Sequence, residues 1–259
     1  NSWDVNIYSL YAKDILKQSH TNIIFDIKQT KEDLKKYDLS NPFDWLKVLD
    51  TSKKMTDAKL VNYESMFTTT ETLGHLAFVK ERYDRYRNSY FVTPYESYLQ
   101  GINEQRKSLI YAIGRQESRF IPTSISSSYA MGTMQIMPFL SRAIAKELKE
   151  SYNIFEQFDA KTNLRYANHH LNFLERRLDH PLYIAYAYNG GIGFTKRLLK
   201  TKLFKKGKYE PYLSMELLPY DETKKYGKKV LTNYYVYNNY INKKGKIKFS
   251  ELINSIKNL

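Results

Sequence analysis

The 259-residue chain has no cysteine, which excludes disulfides and thiolate metal sites and leaves the redox compartment open. Glycine and proline are scarce, at 10 and 7 residues, and fall between periodic segments rather than inside them. No run of about 18 apolar residues occurs, so no transmembrane segment is expected. Residues 1–14 lack the basic-then-apolar pattern of an export signal. The chain is therefore expected to be cytosolic, or the mature or trimmed product of an exported precursor. The spacings of GxGxxG and Walker phosphate loops are absent. Histidines number 5. His169 and His170 are neighbours, so on a helix they point about 100° apart and do not share a metal. His20, His75 and His180 stand alone. Packed or solvated histidines are expected, with no metal and no cofactor.

What is present is a globular composition with a strong charge bias. Apolar residues make up 42%, enough for a real core. The formal net charge is +14. From Phe194 to Leu259 there are 16 Lys and Arg against 5 Asp and Glu. Two readings stay open: solvated lysine faces, or attraction to an anionic polymer. No basic-aromatic motif of a nucleic-acid module appears, so no nucleic-acid partner is expected.

The periodicity is helical nearly throughout, with no repeat and no alternating strand series, which predicts an all-α fold. A break falls near Tyr95 to Asn103, giving an N-terminal region, 1–101, and a second domain, 102–259. In the first, Leu73, Leu76, Val79 and Tyr83 mark a helix from Thr72 to Tyr86, and Asn41-Pro42 opens another. No chemical cluster appears there, and it reads as a packing or linker domain.

In the second, Arg106 to Ser118 reads as a helix, with Leu109, Ile113, Gln116 and Glu117 on one face. Glu117 thus ends an apolar stripe. A carboxyl facing core or cleft has a raised pKa, as a general acid near neutral pH needs; the alternative is a structural Glu paired with Arg or backbone. No other Asp or Glu occurs up to Lys146. A small-residue loop from Ser124 to Thr133 follows, then Met134 to Pro138, where Gln135 offers both a donor and an acceptor. Pro138 starts a helix carrying Phe139, Leu140, Ile144 and Leu148. Asn163 to Leu178 is helical, with Leu164, Ala167, Leu171, Leu174 and Leu178 on one face. Pro181 to Tyr188 ends in a glycine-rich turn at Tyr188 to Gly193. Glu216 lies before Pro219 in a segment read as extended. Asp221 then caps a helix with Tyr226, Val230, Tyr234, Tyr237 and Ile241 inward.

Four stretches in this order carry a resemblance: RQESRF (115–120), AMGTMQIMP (130–138), AYNGGIG (187–193) and ELLPYDETKKY (216–226). Together they resemble the Slt family of soluble lytic transglycosylases, over roughly Gln105 to Tyr240. The resemblance implies a helical linker domain followed by a lysozyme-like, mainly helical catalytic domain. Residues 42–101 are similar to the linker domain, and the earlier ones to the end of a superhelical domain. It also implies the activity: non-hydrolytic cleavage of the β-1,4 bond between N-acetylmuramic acid and N-acetylglucosamine in peptidoglycan, giving 1,6-anhydro ends. Carried over residue by residue, Glu117 is the catalytic acid. Ser126, Gly132, Met134, Gln135, Met137, Tyr188, Asn189 and Glu216 are substrate-binding, and no cofactor is needed. Periplasmic location follows from the substrate and the family. Protein partners are not implied. Departures are Gly190 and Gly191-Ile192-Gly193 after the Tyr-Asn pair, and Thr133 where a Leu is common. A hydrolase of the same fold and a catalytically silent wall-binding protein remain as alternatives.

Overall fold

Helix starts follow from side chains that replace the missing first-turn partners. In the computed structural model, which describes residues 4–29 and 37–256, Asn6 accepts from the amides of Tyr8 and Ser9 to open α1 (Ile7–Ile15). Asn41 caps α2 (Pro42–Thr51), with proline in the first turn as the sequence predicts. Thr56 caps α3 (Asp57–Met66). α4 (Leu73–Tyr83) follows, then α5 (Glu104–Glu117), α6 (Pro138–Leu148) and α7 (Ala160–Glu175). The chain ends in α8 (Pro181–Gly190), α9 (Ile192–Lys200), α10 (Tyr212–Glu216), α11 (Asp221–Ile241) and α12 (Phe249–Asn254). The only strands among the described residues are β1 (Ile23–Ile24) and β2 (Ser89–Tyr90), a parallel pair too short to read from sequence. The all-α expectation is met. Residues 1–3 and 30–36, part of the region assigned to 1–101, lie outside the described residues.

Two compact units emerge, and they interleave along the chain. The first comprises Thr21–Ile102 and Glu117–His169. Its core gathers Trp45, Val48, Tyr63, Phe67, Leu76, Phe78, Val79 and Ile121. His75 is fully buried there, with ring centroids 5.1 Å from Tyr37, 5.5 Å from Trp45 and 5.1 Å from Phe67. Burial among these rings lowers its pKa to about 3, so it is neutral.

The second unit comprises residues 4–20, 103–116 and 170–256. Its frame is the pair α8 and α11. They approach closely because Gly227 has no side chain: a Cβ there would lie 2.2 Å from Tyr186 Cε1. α5 joins them through Arg115, whose Nη1 donates to Asn233 Oδ1 at 3.1 Å, and through stacked Tyr111 and Tyr237. α1 packs on α11 and α12, so the first helix belongs with the last ones. His180 caps α8 with its ring: Nδ1 accepts from the Leu182 amide at 3.1 Å, and Nε2 donates to the Leu252 carbonyl at 3.1 Å. Burial lowers its pKa to about 4, against the smaller raising effects of that carbonyl and of Asp179.

Two readings of local structure change. Glu216 is not in an extended segment; it ends the short helix α10. Glu210 forms the turn that starts it, accepting from the Ser214 amide at 3.0 Å. Asp221 is the first residue of α11 rather than its cap, which is Tyr220, and it pairs with Lys224 at 2.8 Å.

Candidate active site

Glu117 is the last residue of α5 and is half-buried, at the end of a stripe in which Leu109 and Ile113 are buried. The helix cannot continue, because Arg119 and Phe120 adopt left-handed backbone at φ 60° and 66°. This turn is held on several sides. Ser118 Oγ accepts from the Ile121 amide at 3.0 Å and donates to the Thr133 carbonyl at 2.7 Å. Tyr95 Oη donates to the Phe120 carbonyl at 3.3 Å. Gly74 of α4 lies against the turn: a Cβ on it would come within 2.3 Å of the Arg119 carbonyl oxygen. The Arg119 charge is taken by buried Glu81, at 3.1 Å.

The loop after the turn is a small folded structure. Met131 bridges antiparallel to Ile125 and to Ile136. Ser126 Oγ accepts from the amides of Ser128 and Ala130 at 3.2 and 3.0 Å, so it builds the loop tip. Gln135, in left-handed backbone at φ 48°, donates through Nε2 to the carbonyls of Ser124 and Gly132 at 2.9 and 2.8 Å. Gly132 has φ 82°, and a Cβ there would lie 2.2 Å from the Gln157 carbonyl oxygen. Both conditions demand glycine. Met134 is fully buried, while Met137 is half-buried at the start of α6.

The residue that fixes this loop is Asn163, with no exposed surface. Its Oδ1 accepts from the Met134 amide at 2.7 Å, and its Nδ2 donates to the Met131 carbonyl at 3.1 Å and to Gln157 Oε1 at 3.0 Å. From the sequence, Asn163 reads only as a helix start. The helix in fact begins at Ala160, which leaves an asparagine inside its first turn, and that misplaced amide was the available signal.

In the second unit, Tyr188 and Asn189 lie in the last turn of α8. Tyr188 is half-buried and meets the His170 ring edge-on at 5.9 Å. Asn189 is used at both ends: Nδ2 donates to Glu222 Oε1 at 3.0 Å, and Oδ1 accepts from Thr223 Oγ1 at 2.8 Å. Glu222 therefore clamps α8 to α11. Glu216 accepts from Lys228 Nζ at 2.6 Å and from Tyr8 Oη of α1. Partial burial pushes the Glu216 pKa up, but hydrogen bonds from Lys228 and Tyr8 and the charges of Lys228 and Lys224 outweigh it. The net shift is down, and Glu216 is an anion. The Tyr8 hydroxyl is pushed up to about 12 by burial and by Glu216. No group of three or more His, Cys, Asp or Glu that could hold a metal occurs among the described residues. No helix among them is long and apolar enough to cross a membrane.

The fold is helical and lysozyme-like, with the half-buried Glu117 ahead of a glycine-pinned loop. Solved structures share the architecture. The 70 kDa soluble lytic transglycosylase Slt70 from Escherichia coli matches with a TM-score of 0.63 at 19% identity, over 95% of this chain and 42% of its own. An inactive mutant of the lytic transglycosylase Slt from Pseudomonas aeruginosa matches with a TM-score of 0.61 at 17% identity, over 94% of this chain and 42% of its own. By sequence, the chain is 28% identical over 213 residues to a putative soluble lytic murein transglycosylase from Haemophilus influenzae, covering 80% of this chain and 35% of that one. Residues 94–210 match the family model of the transglycosylase SLT domain. The chain spans about a third of the length of the curated relative it matches, at 35%.

Proposed function

We propose that this protein is a peptidoglycan lytic transglycosylase with Glu117 as its catalytic acid and base. The observation that carries the reading is the setting of Glu117 within an SLT domain. It is the half-buried end of an apolar helical stripe, and the next 29 residues contain no other acid. A single carboxyl suits a substrate-assisted cleavage better than the two-carboxylate mechanisms of most glycosidases. Glu117 protonates the glycosidic oxygen that leaves with N-acetylglucosamine. The 2-acetamido oxygen of the muramoyl sugar supports the developing oxocarbenium charge. Glu117, now a carboxylate, takes the proton of that sugar's C6 hydroxyl as its oxygen bonds to the anomeric carbon. The 1,6-anhydro ring closes and no water is consumed. An intramolecular nucleophile replaces the second catalytic group, and exclusion of water protects the outcome.

The remaining site residues divide by their bonds. Gln135 spends its amide nitrogen on the loop and offers Oε1 to a sugar amide or hydroxyl. Tyr188 orients the acetamido group, and Met137 lines a subsite. Ser126, Gly132 and buried Met134 act through the loop they shape, and Asn189 through its clamp to α11. Glu216 contacts substrate by exchanging Tyr8 or Lys228 for a ligand donor. Residues 1–101 act as the N-terminal and linker region and 102–259 as the catalytic domain. The protein works in the periplasm on glycan strands. Mass spectrometry of digested peptidoglycan tests the reading: anhydro-ended muropeptides are expected. Products heavier by one water would mean a hydrolase, and no products a wall-binding protein.

A further inference from the structure

The first unit carries a groove of about 660 Å³ that neither Glu117 nor any of the substrate-binding candidates lines, though Tyr95, which holds the turn after Glu117, does. Its walls come from local structure that leaves aromatic rings in water. Tyr95, in left-handed backbone at φ 60°, opens the short turn Glu96–Leu99, which presents Tyr98. Asn153 accepts from the Phe155 amide at 3.1 Å and opens the turn Ile154–Phe158, which presents Phe155 and Phe158. The Tyr95 and Tyr98 rings stack with centroids 5.8 Å apart at 12°. Tyr95 is buried beneath, while Tyr98 is 39% and Phe155 68% exposed. Folding alone gives no reason to leave two large rings open at one groove.

The charged groups in this groove are both carboxylates, beside the hydroxyls of Ser40 and Tyr98. Glu71 and Asp159 line it, and no Lys or Arg does among the described residues, in a chain of net charge +14. Burial, then the fields of Glu71 and Asp159, raise the Tyr98 pKa, so that phenol stays a neutral donor and acceptor. A fitting ligand has C–H faces to lie on rings and O–H or N–H groups to donate to carboxylates. It carries no negative charge. A compact ammonium would satisfy the carboxylates but leave most of a groove this size empty. A lactyl or peptide carboxylate would be repelled.

We propose that this groove is a second saccharide site, taking uncharged N-acetylhexosamine rings of a glycan apart from the bond being cut. The choice of sugar rests on the glycan reading above; the groove does not. The test is an amide NMR titration of the full Glu117→Gln chain with N-acetylglucosamine trimer. Amides of residues 95–99 and 154–159 are expected to shift saturably. Tyr98→Ala and Phe155→Ala, both at exposed positions, each weaken that isotherm about tenfold or more. Circular dichroism checks that the variants fold. Unmoved groove amides at millimolar trimer overturn the proposal. So does a groove that responds to tetramethylammonium and not to the sugar. Failure here is separable from failure of the enzyme reading: anhydro products with a silent groove remove only the second site, and sugar binding in a protein without products removes only the enzyme.

Discussion

Single residues in the loop after Glu117 make opposite predictions because their polar atoms fare differently. Asn163 satisfies three partners at once with no exposed surface. Asn163→Ala removes the acceptor of the Met134 amide and the donor to Gln157 Oε1, at a cost of about 1–3 kcal/mol for each buried group that loses its bond. Urea unfolding will show this loss, and turnover will fall with it because the loop loses its anchor. Unchanged stability would contradict the role. Thr133 is the converse. It is fully buried, and its Oγ1 has no hydrogen-bond partner among the described residues. Thr133→Val keeps the shape and removes the orphan, so a gain of about 1 kcal/mol in the same measurement is expected. Glu117 was legible as a candidate because an acid closing an apolar stripe is unusual. Asn163 and Gly74 were not, because the loop backbone that Asn163 holds and the turn that Gly74 admits are 29 or more residues distant in sequence, and the reason for each lies there.

At the scale of elements, periodicity placed nearly every long helix, because burial of one face is written locally. Leu164, Ala167, Leu171, Leu174 and Leu178 are all buried, as their spacing predicts. Ends were less legible. α7 begins at Ala160 rather than Asn163, since Asp159 accepts from the Thr162 amide at 2.8 Å and starts the turn early. The helix α10 escaped notice because a five-residue element carries too little pattern, and its start depends on Glu210. The α8–α11 crossing was also invisible: Gly227 reads as an ordinary helix interior until Tyr186 is placed against it. Gly227→Ala inserts a methyl 2.2 Å from that ring, between two buried faces. A loss of about 1–3 kcal/mol is expected from the forced separation. A thermal melt equal to the wild type would show that the pair has room to spare.

For the whole molecule, stability should depend on pH through two buried neutral histidines, one in each unit. The folded pKa of His75 is about 3 and that of His180 about 4, both below the ordinary value of 6.5. The unfolded chain therefore binds protons first as pH falls. The stabilising effect of neutrality is complete above about 6.5 and drains away toward the folded values, by about 1.4 kcal/mol per pH unit for each histidine. Between pH 7 and 5.5 the wild type is expected to lose about 2–3 kcal/mol. His75→Phe keeps a ring among rings and should remove about half of that slope. An unaltered slope would place the titration elsewhere. The interleaving of the two units was not legible in the sequence. It arises because α1 packs on α11 and α12, and because residues 103–116 of α5 group with the second unit while Glu117–His169 group with the first.

Whether Glu117 drives an anhydro-forming cleavage of peptidoglycan is decided by one comparison. Purified peptidoglycan is digested by the wild type and by Glu117→Gln, and the muropeptides are weighed by mass spectrometry. The wild type is expected to give 1,6-anhydro ends, and a Glu117→Gln protein that circular dichroism shows to be folded almost none. Equal anhydro yields from both proteins would contradict it.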